Sequence, residues 1–143
     1  MPRPTHEPIG SALAKTAKAV SRAFDVSLAE AGGSRPVWLV LIALRTARAG
    51  TQRELARSMD IQGATLSHHL DGMEAAGLVT RRRDPDNRRV HLVETTDAGE
   101  EMFHRLRGAA TAHDRRIRAD VTDEEAALVA SVLARMRSNV SVD

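Results

Sequence analysis

The sequence predicts a mainly α-helical chain interrupted by one β-hairpin, and three observations predict it. Apolar residues recur at helical spacing through most of the chain. A polar turn cluster, Asp84-Pro85-Asp86-Asn87, separates two short extended segments. Aromatic residues are nearly missing: Phe24, Trp38 and Phe103 stand alone and there is no Tyr, so the 42% of hydrophobic residues is mostly Ala, Leu, Val, Ile and Met. Such a core suits close-packed helices better than a β-sandwich. The 143 residues are about the size of one ordinary domain, which leaves no room for a separate catalytic domain.

Each element has its own signal. Residues 9–30 read as a first helix, with Ile9, Leu13, Val20, Phe24 and Leu28 at helical spacing and Ala31-Gly32-Gly33 to close it. Ser34 suits the cap of a second helix and Pro36 its first turn; the apolar run 37–44 follows and the helix ends by Gly50. Thr51-Gln52-Arg53-Glu54 has the spacing of a capping box, in which a Thr oxygen and a Glu carboxylate satisfy free backbone donors reciprocally. It opens a short helix ending near Met59. After Asp60-Ile61-Gln62 another helix runs to Ala76 and stops at Gly77. Two short helices joined by a tight turn make a helix-turn-helix candidate. Leu78-Val79-Thr80 begins an extended segment, and Val90-His91-Leu92-Val93 alternates as the second strand of a hairpin would. Asp97 with Glu100 suits the start of a long helix through about residue 118, and Thr122 to Glu125 is a second capping box, opening a last helix to about Ser138.

Charge is uneven. The net charge is only +2, yet residues 81–90, RRRDPDNRRV, hold five arginines against two aspartates, a local charge of +3. An exposed cluster of this kind suits a polyanion. On the helix before it, Leu66, Leu70 and Met73 fall within about 60° of one another at 100° per residue, which defines the buried stripe. The opposite arc carries Ala64, Thr65, His68 and Asp71, flanked by Ser67 and Gly72. Small, hydrogen-bonding side chains near a helix N-terminus can approach base edges in the major groove. Gln62, Ala64, Thr65, Ser67 and His68 are therefore the candidate reading residues, and His69, nearer the buried side, is a structural one. In the hairpin, Arg81, Arg82, Arg83, Arg88 and Arg89 are candidates for phosphate or minor-groove contact.

Other classes fit poorly. No cysteine is present, which excludes disulfides, thiolate metal sites and thiol-based sensing and suits a reducing cytoplasm. Glycine-rich phosphate loops and clustered carboxylates are absent, so an enzyme is not expected. His6, His91, His104 and His113 are scattered and suggest no compact metal site. Residues 1–8 are polar and proline-rich, read as a frayed start, and no stretch approaches the roughly 18 apolar residues of a membrane span. Met102, Leu106, Ala109, His113 and Ile117 stripe the long helix and Leu128, Val132, Leu133 and Met136 the last one. That is more apolar surface than one small domain can cover, so a partner chain is expected.

Residues 54–99, ELARSMDIQGATLSHHLDGMEAAGLVTRRRDPDNRRVHLVETTDAG, resemble the winged helix-turn-helix of MarR-type transcriptional regulators in order, spacing and character. The most specific part is GLVTRRRDPDNRRV followed by TTDAG. The resemblance implies a wing whose Asp-x-Arg unit, here Asp86-Asn87-Arg88, orients the arginine for DNA. It implies an N-terminal arm and first dimerisation helix in residues 1–33, the winged region in 34–96 and C-terminal dimerisation helices in 97–143, all within a single domain. The first and last helices would intertwine in a homodimer, with Ile9, Leu13, Leu106, His113, Ile117, Leu128, Val132 and Met136 as candidate contacts. The function implied is repression at a pseudo-palindromic operator in double-stranded DNA, relieved by a small aromatic or anionic ligand between the dimerisation helices and the winged region. Phe24, Trp38 and Phe103 are the candidates for that pocket. No cofactor is implied. Alternatives are a ligand-independent architectural DNA-binding protein and a metal- or haem-responsive regulator. Where many relatives carry Arg on the recognition helix this chain has His68 and His69, so base preference does not transfer.

Overall fold

A computed structural model of the chain describes residues 6–46 and 50–141; the first five residues of the start expected to fray lie outside them. In order the elements are α1 (Ile9–Glu30), α2 (Arg35–Thr46), α3 (Gln52–Ser58), α4 (Gly63–Ala75), β1 (Val79–Arg83), β2 (His91–Thr95), α5 (Asp97–Ile117) and α6 (Asp123–Val140). β1 and β2 pair antiparallel, with Val79 opposite Thr95 and Arg83 opposite His91. This is the winged helix-turn-helix fold, and no helix of the described residues is long and apolar enough to cross a membrane.

Local chemistry sets the boundaries. The Thr51 hydroxyl accepts from the Glu54 N–H at 3.1 Å, but only this half of the expected capping box forms. The full box appears at α6, where Thr122 Oγ1 accepts from the Glu125 N–H and Glu125 Oε2 accepts from the Thr122 N–H. α4 ends in a pair of closing bonds, Gly77 N–H to the Glu74 carbonyl and Leu78 N–H to the Met73 carbonyl, with Gly77 at φ +75°. That left-handed conformation carries little strain only for glycine, and it turns the chain directly into β1.

The wing is anchored at its root. Val93 N–H donates to the Gly50 carbonyl at 2.7 Å, and Thr51 bridges to Leu92. Behind it, α5 starts hard against β1: a Cβ on Gly99 would lie 2.1 Å from the Leu78 carbonyl oxygen. Only glycine permits that approach, which explains the Gly of the TTDAG segment in steric terms.

The core joins both halves of the chain. Leu28, Val40, Leu55, Leu66, Leu70 and Leu106 are wholly buried, and Val79 and Val93 bring the base of the wing into the same cluster. α6 buries nothing, while Ile9, Leu13, Ile117 and Leu128 are exposed. Two residues expected at a dimer contact are buried within the chain. Leu106 packs within its own chain, its Cδ2 only 2.6 Å from where a Cβ on Gly33 would stand. His113 is buried between α1 and α5, stacked on Phe24 at 5.1 Å, with its Nδ1 unpartnered. The inner stripe of α5 is covered by α1 and α2, so only its far end reaches outward.

Candidate nucleic-acid interface

The stripe on α4 is buried as its periodicity requires: Leu66 and Leu70 are fully covered and Met73 nearly so. This seats the helix with Ala64, Thr65, His68 and Asp71 in solvent and His69 half-buried. Gln62 precedes the helix and makes no capping bond with its side chain, so its amide is free to reach outward. Ser67 is half-buried, and its hydroxyl accepts from Gln52 Nε2 at 2.6 Å. That bond fixes α3 against α4. Nothing in the sequence pairs residues fifteen apart, so Gln52 was not legible there.

The wing arginines divide into classes. Arg81 turns back onto α4 and bonds Asp71 and Glu74; Arg82 pairs with Glu94 across the hairpin at 2.9 Å. Both were expected as phosphate contacts, yet carboxylates of the same chain already engage their guanidinium groups. Arg83 donates to the Arg88 carbonyl at 3.4 Å. Arg88 and Arg89 are exposed and meet no carboxylate among the described residues.

The tip is folded by Asp84 and Asn87. Asp84 Oδ1 accepts from the Asp86 N–H at 2.9 Å, and Asn87 Oδ1 accepts from the Arg89 N–H at 3.2 Å. Short polar side chains bonding their own backbone two residues on are the usual makers of such turns. Among the described residues the Asp86 carboxylate forms no ion pair with Arg88. An exposed pair gains little in water.

Between α3, the start of α4 and the wing runs an open groove of about 950 Å³, lined by Gln52, Arg53, Arg57, Ser67, Arg89 and His91 among others. Arg53 and Arg57 are exposed on α3. Sequence reasoning missed them, although their i, i+4 spacing puts both on one helical face. Reading helix, groove and unpaired wing arginines share one side of the molecule.

A second cleft, of about 630 Å³, lies behind α4 against the α1–α2 junction and α5, with Val37, His68, His69, Met73, Met102 and Arg105 on its walls. Phe24, Trp38 and Phe103 do not line it. Trp38 stacks on Phe103 at 5.6 Å with the Arg45 guanidinium 4.5 Å from the Phe103 centroid. Phe24 is used by His113 and by Arg35, whose guanidinium sits 5.6 Å away. Among the described residues no three His, Asp or Glu side chains gather as a metal site.

Known proteins bear on this surface. The family model described as MarR matches residues 34–91. The HTH-type transcriptional regulator YdgJ of Bacillus subtilis (strain 168) is 35% identical over 91 residues, 64% of this chain and 56% of that protein, so the match spans little more than half of YdgJ. The crystal structure of transcriptional regulator PA3341 is 33% identical with a TM-score of 0.73, covering 93% of this chain and 98% of that one. The transcriptional repressor CouR, solved on a 23-mer DNA duplex, is 28% identical with a TM-score of 0.79, covering 90% and 92%.

Proposed function

Because the chain belongs to the MarR family of transcriptional regulators, we propose that it represses transcription as a cytoplasmic homodimer, binding a pseudo-palindromic operator and releasing it when a small aromatic or anionic molecule binds. One observation carries the reading: α4 presents small polar side chains outward beside a wing whose Arg88 and Arg89 meet no carboxylate among the described residues. Gln62, Ala64, Thr65, Ser67 and His68 enter the major groove, while Arg88, Arg89, Arg53 and Arg57 grip the flanking backbone. The DNA duplex in the structure of CouR supports DNA as the partner.

Residues 34–96 carry recognition, and residues 1–33 and 97–143 carry assembly. An apolar trough of about 630 Å³ between α1 and α6, walled by Ile9, Leu13, Ala17, Leu133, Met136 and Val140, supports a second copy of the chain as its cover. Two-fold symmetry then sets the recognition helices about 34 Å apart, in successive major grooves. The cleft behind α4 is the ligand site of this reading. Arg105 offers a cation to an anionic group, and His68 belongs to both the cleft and the reading face. An occupant of the cleft would therefore press on the helix that reads bases.

The test is a fluorescence-anisotropy titration of the full chain against DNA from upstream of its own gene, with scrambled duplex as competitor. Competitor-resistant binding by a dimer is the expected result. Equal loss to scrambled DNA favours the architectural alternative, and no binding at low salt ends the proposal. Arg88→Ala should weaken binding to both duplexes alike and reduce the salt slope by about 1, as loss of one phosphate contact does.

A further inference from the structure

Arg81 behaves unlike every other arginine of the wing. It is the third residue of β1, opposite Val93. Its Nη2 donates to Asp71 Oδ1 at 2.5 Å and to Glu74 Oε1 at 3.1 Å, and its backbone N–H donates to Glu74 Oε2 at 3.1 Å. Asp71 and Glu74 are three residues apart on α4, so both carboxylates stand on the helix face turned to the wing. The Arg81 side chain is only 20% exposed. The Arg81 bonds hold Glu74 below the ordinary carboxylate range, and Asp71 and Glu74 in turn hold Arg81 in its charged form. By contrast, Arg82 and Arg83 bond within the hairpin.

We infer that Arg81 is a positioning residue that clamps the wing to the recognition helix, so that base reading and backbone gripping are performed by one rigid unit. The inference rests on the DNA-binding reading above and assigns Arg81 no DNA contact of its own. A specific complex requires α4 and the wing to be seated together in one relative geometry. Without the clamp, the wing must be ordered separately during binding, at an entropic cost that falls on that complex. Non-specific binding depends on charge and needs no such register. Losing the clamp therefore lowers the ratio of specific to non-specific affinity, whereas losing a phosphate contact lowers both and leaves the ratio alone.

The deciding variant is Asp71→Asn with Glu74→Gln in the full chain, which removes both acceptor charges and leaves Arg81 in place. It makes the protein more positive toward every duplex equally, so the ratio cancels the change in charge. The expected result is a ratio, for the preferred upstream duplex over a scrambled one, about tenfold lower than wild type, with wing amides exchanging faster in the free protein. Arg81→Glu should lower the ratio as well, and Arg81→Glu with Glu74→Arg should recover much of it by restoring the pair with reversed charges. An unchanged ratio, or wing amides that exchange as in wild type, overturns the clamp. A ratio that rises shows that Arg81, once released, reads or grips DNA itself, and overturns it also. A wild type with no preference for upstream DNA overturns the operator reading instead, while the exchange of the wing amides still decides whether the clamp exists.

Discussion

In the winged half of this molecule Leu55, Leu66 and Leu70 are fully buried, whereas α6 buries no residue and Ile9 and Leu128 stand 66% and 61% exposed. Both regions have amphipathic helices capped by Ser or Thr. They differ in where the apolar face finds its cover. α3, α4 and the strands cover one another with help from α2 and α5, so the stability of that half belongs to the single chain. The outer faces of α1 and α6 find no cover among the described residues, and any stabilisation they supply depends on what comes to meet them.

The comparison breaks most visibly in the core. Leu66→Ala should cost about 2–5 kcal/mol, since a fully buried leucine leaves a cavity its neighbours only partly fill. Denaturant unfolding should report that loss at any protein concentration. Gly99→Ala comes next. A Cβ there meets the backbone carbonyl of Leu78, and such overpacking costs about 1–3 kcal/mol; an unchanged melting temperature would refute the steric account of that glycine. Thr51→Ala removes the acceptor of the Glu54 N–H and should cost about 1 kcal/mol.

The smaller effects sharpen the other side. Leu128→Asn should change the stability of the isolated chain by under about 0.5 kcal/mol, as surface substitutions do. If a second copy covers α6, sedimentation should nevertheless show the variant dissociating at concentrations where wild type is dimeric. Smallest is an acid effect at the clamp. Glu74 has a folded pKa below its ordinary 4.5 because of Arg81, so the stability it contributes is present above pH 4.5 and is lost as pH falls through the lower folded value. Glu74→Gln should remove that part of the acid limb of an unfolding-versus-pH curve and leave the neutral region nearly flat.

Much of the fold was legible because its signals are local. Capping residues, the Gly77 stop, the Asp84 to Asn87 turn and the 3.6-residue stripe of Leu66, Leu70 and Met73 each act within a few residues of themselves. The faces of α4 followed from the same periodicity. The charge of the wing was legible too, but not its division of labour. Arg81 and Arg88 look alike in sequence. What separates them is ten residues of chain folding back to pair Arg81 with Asp71, while Arg88 forms no ion pair among the described residues.

The surroundings of the three aromatic residues and of the α5 stripe were hidden for the same reason. Periodicity says which side of a helix is apolar and says nothing about which element will cover it. Phe103 looked available until α2 laid Trp38 on it, and His113 looked external until α1 brought Phe24 against it. The sequence by itself determined the elements, their order, their ends and the side of α4 left to solvent, because those follow from hydrogen-bonding capacity and hydrophobic spacing along a few turns of chain. Only the tertiary structure decided which arginines remain unpaired, which apolar faces remain uncovered and where a cleft opens behind the reading helix. Those outcomes depend on distances between residues far apart in the chain, which no local pattern encodes.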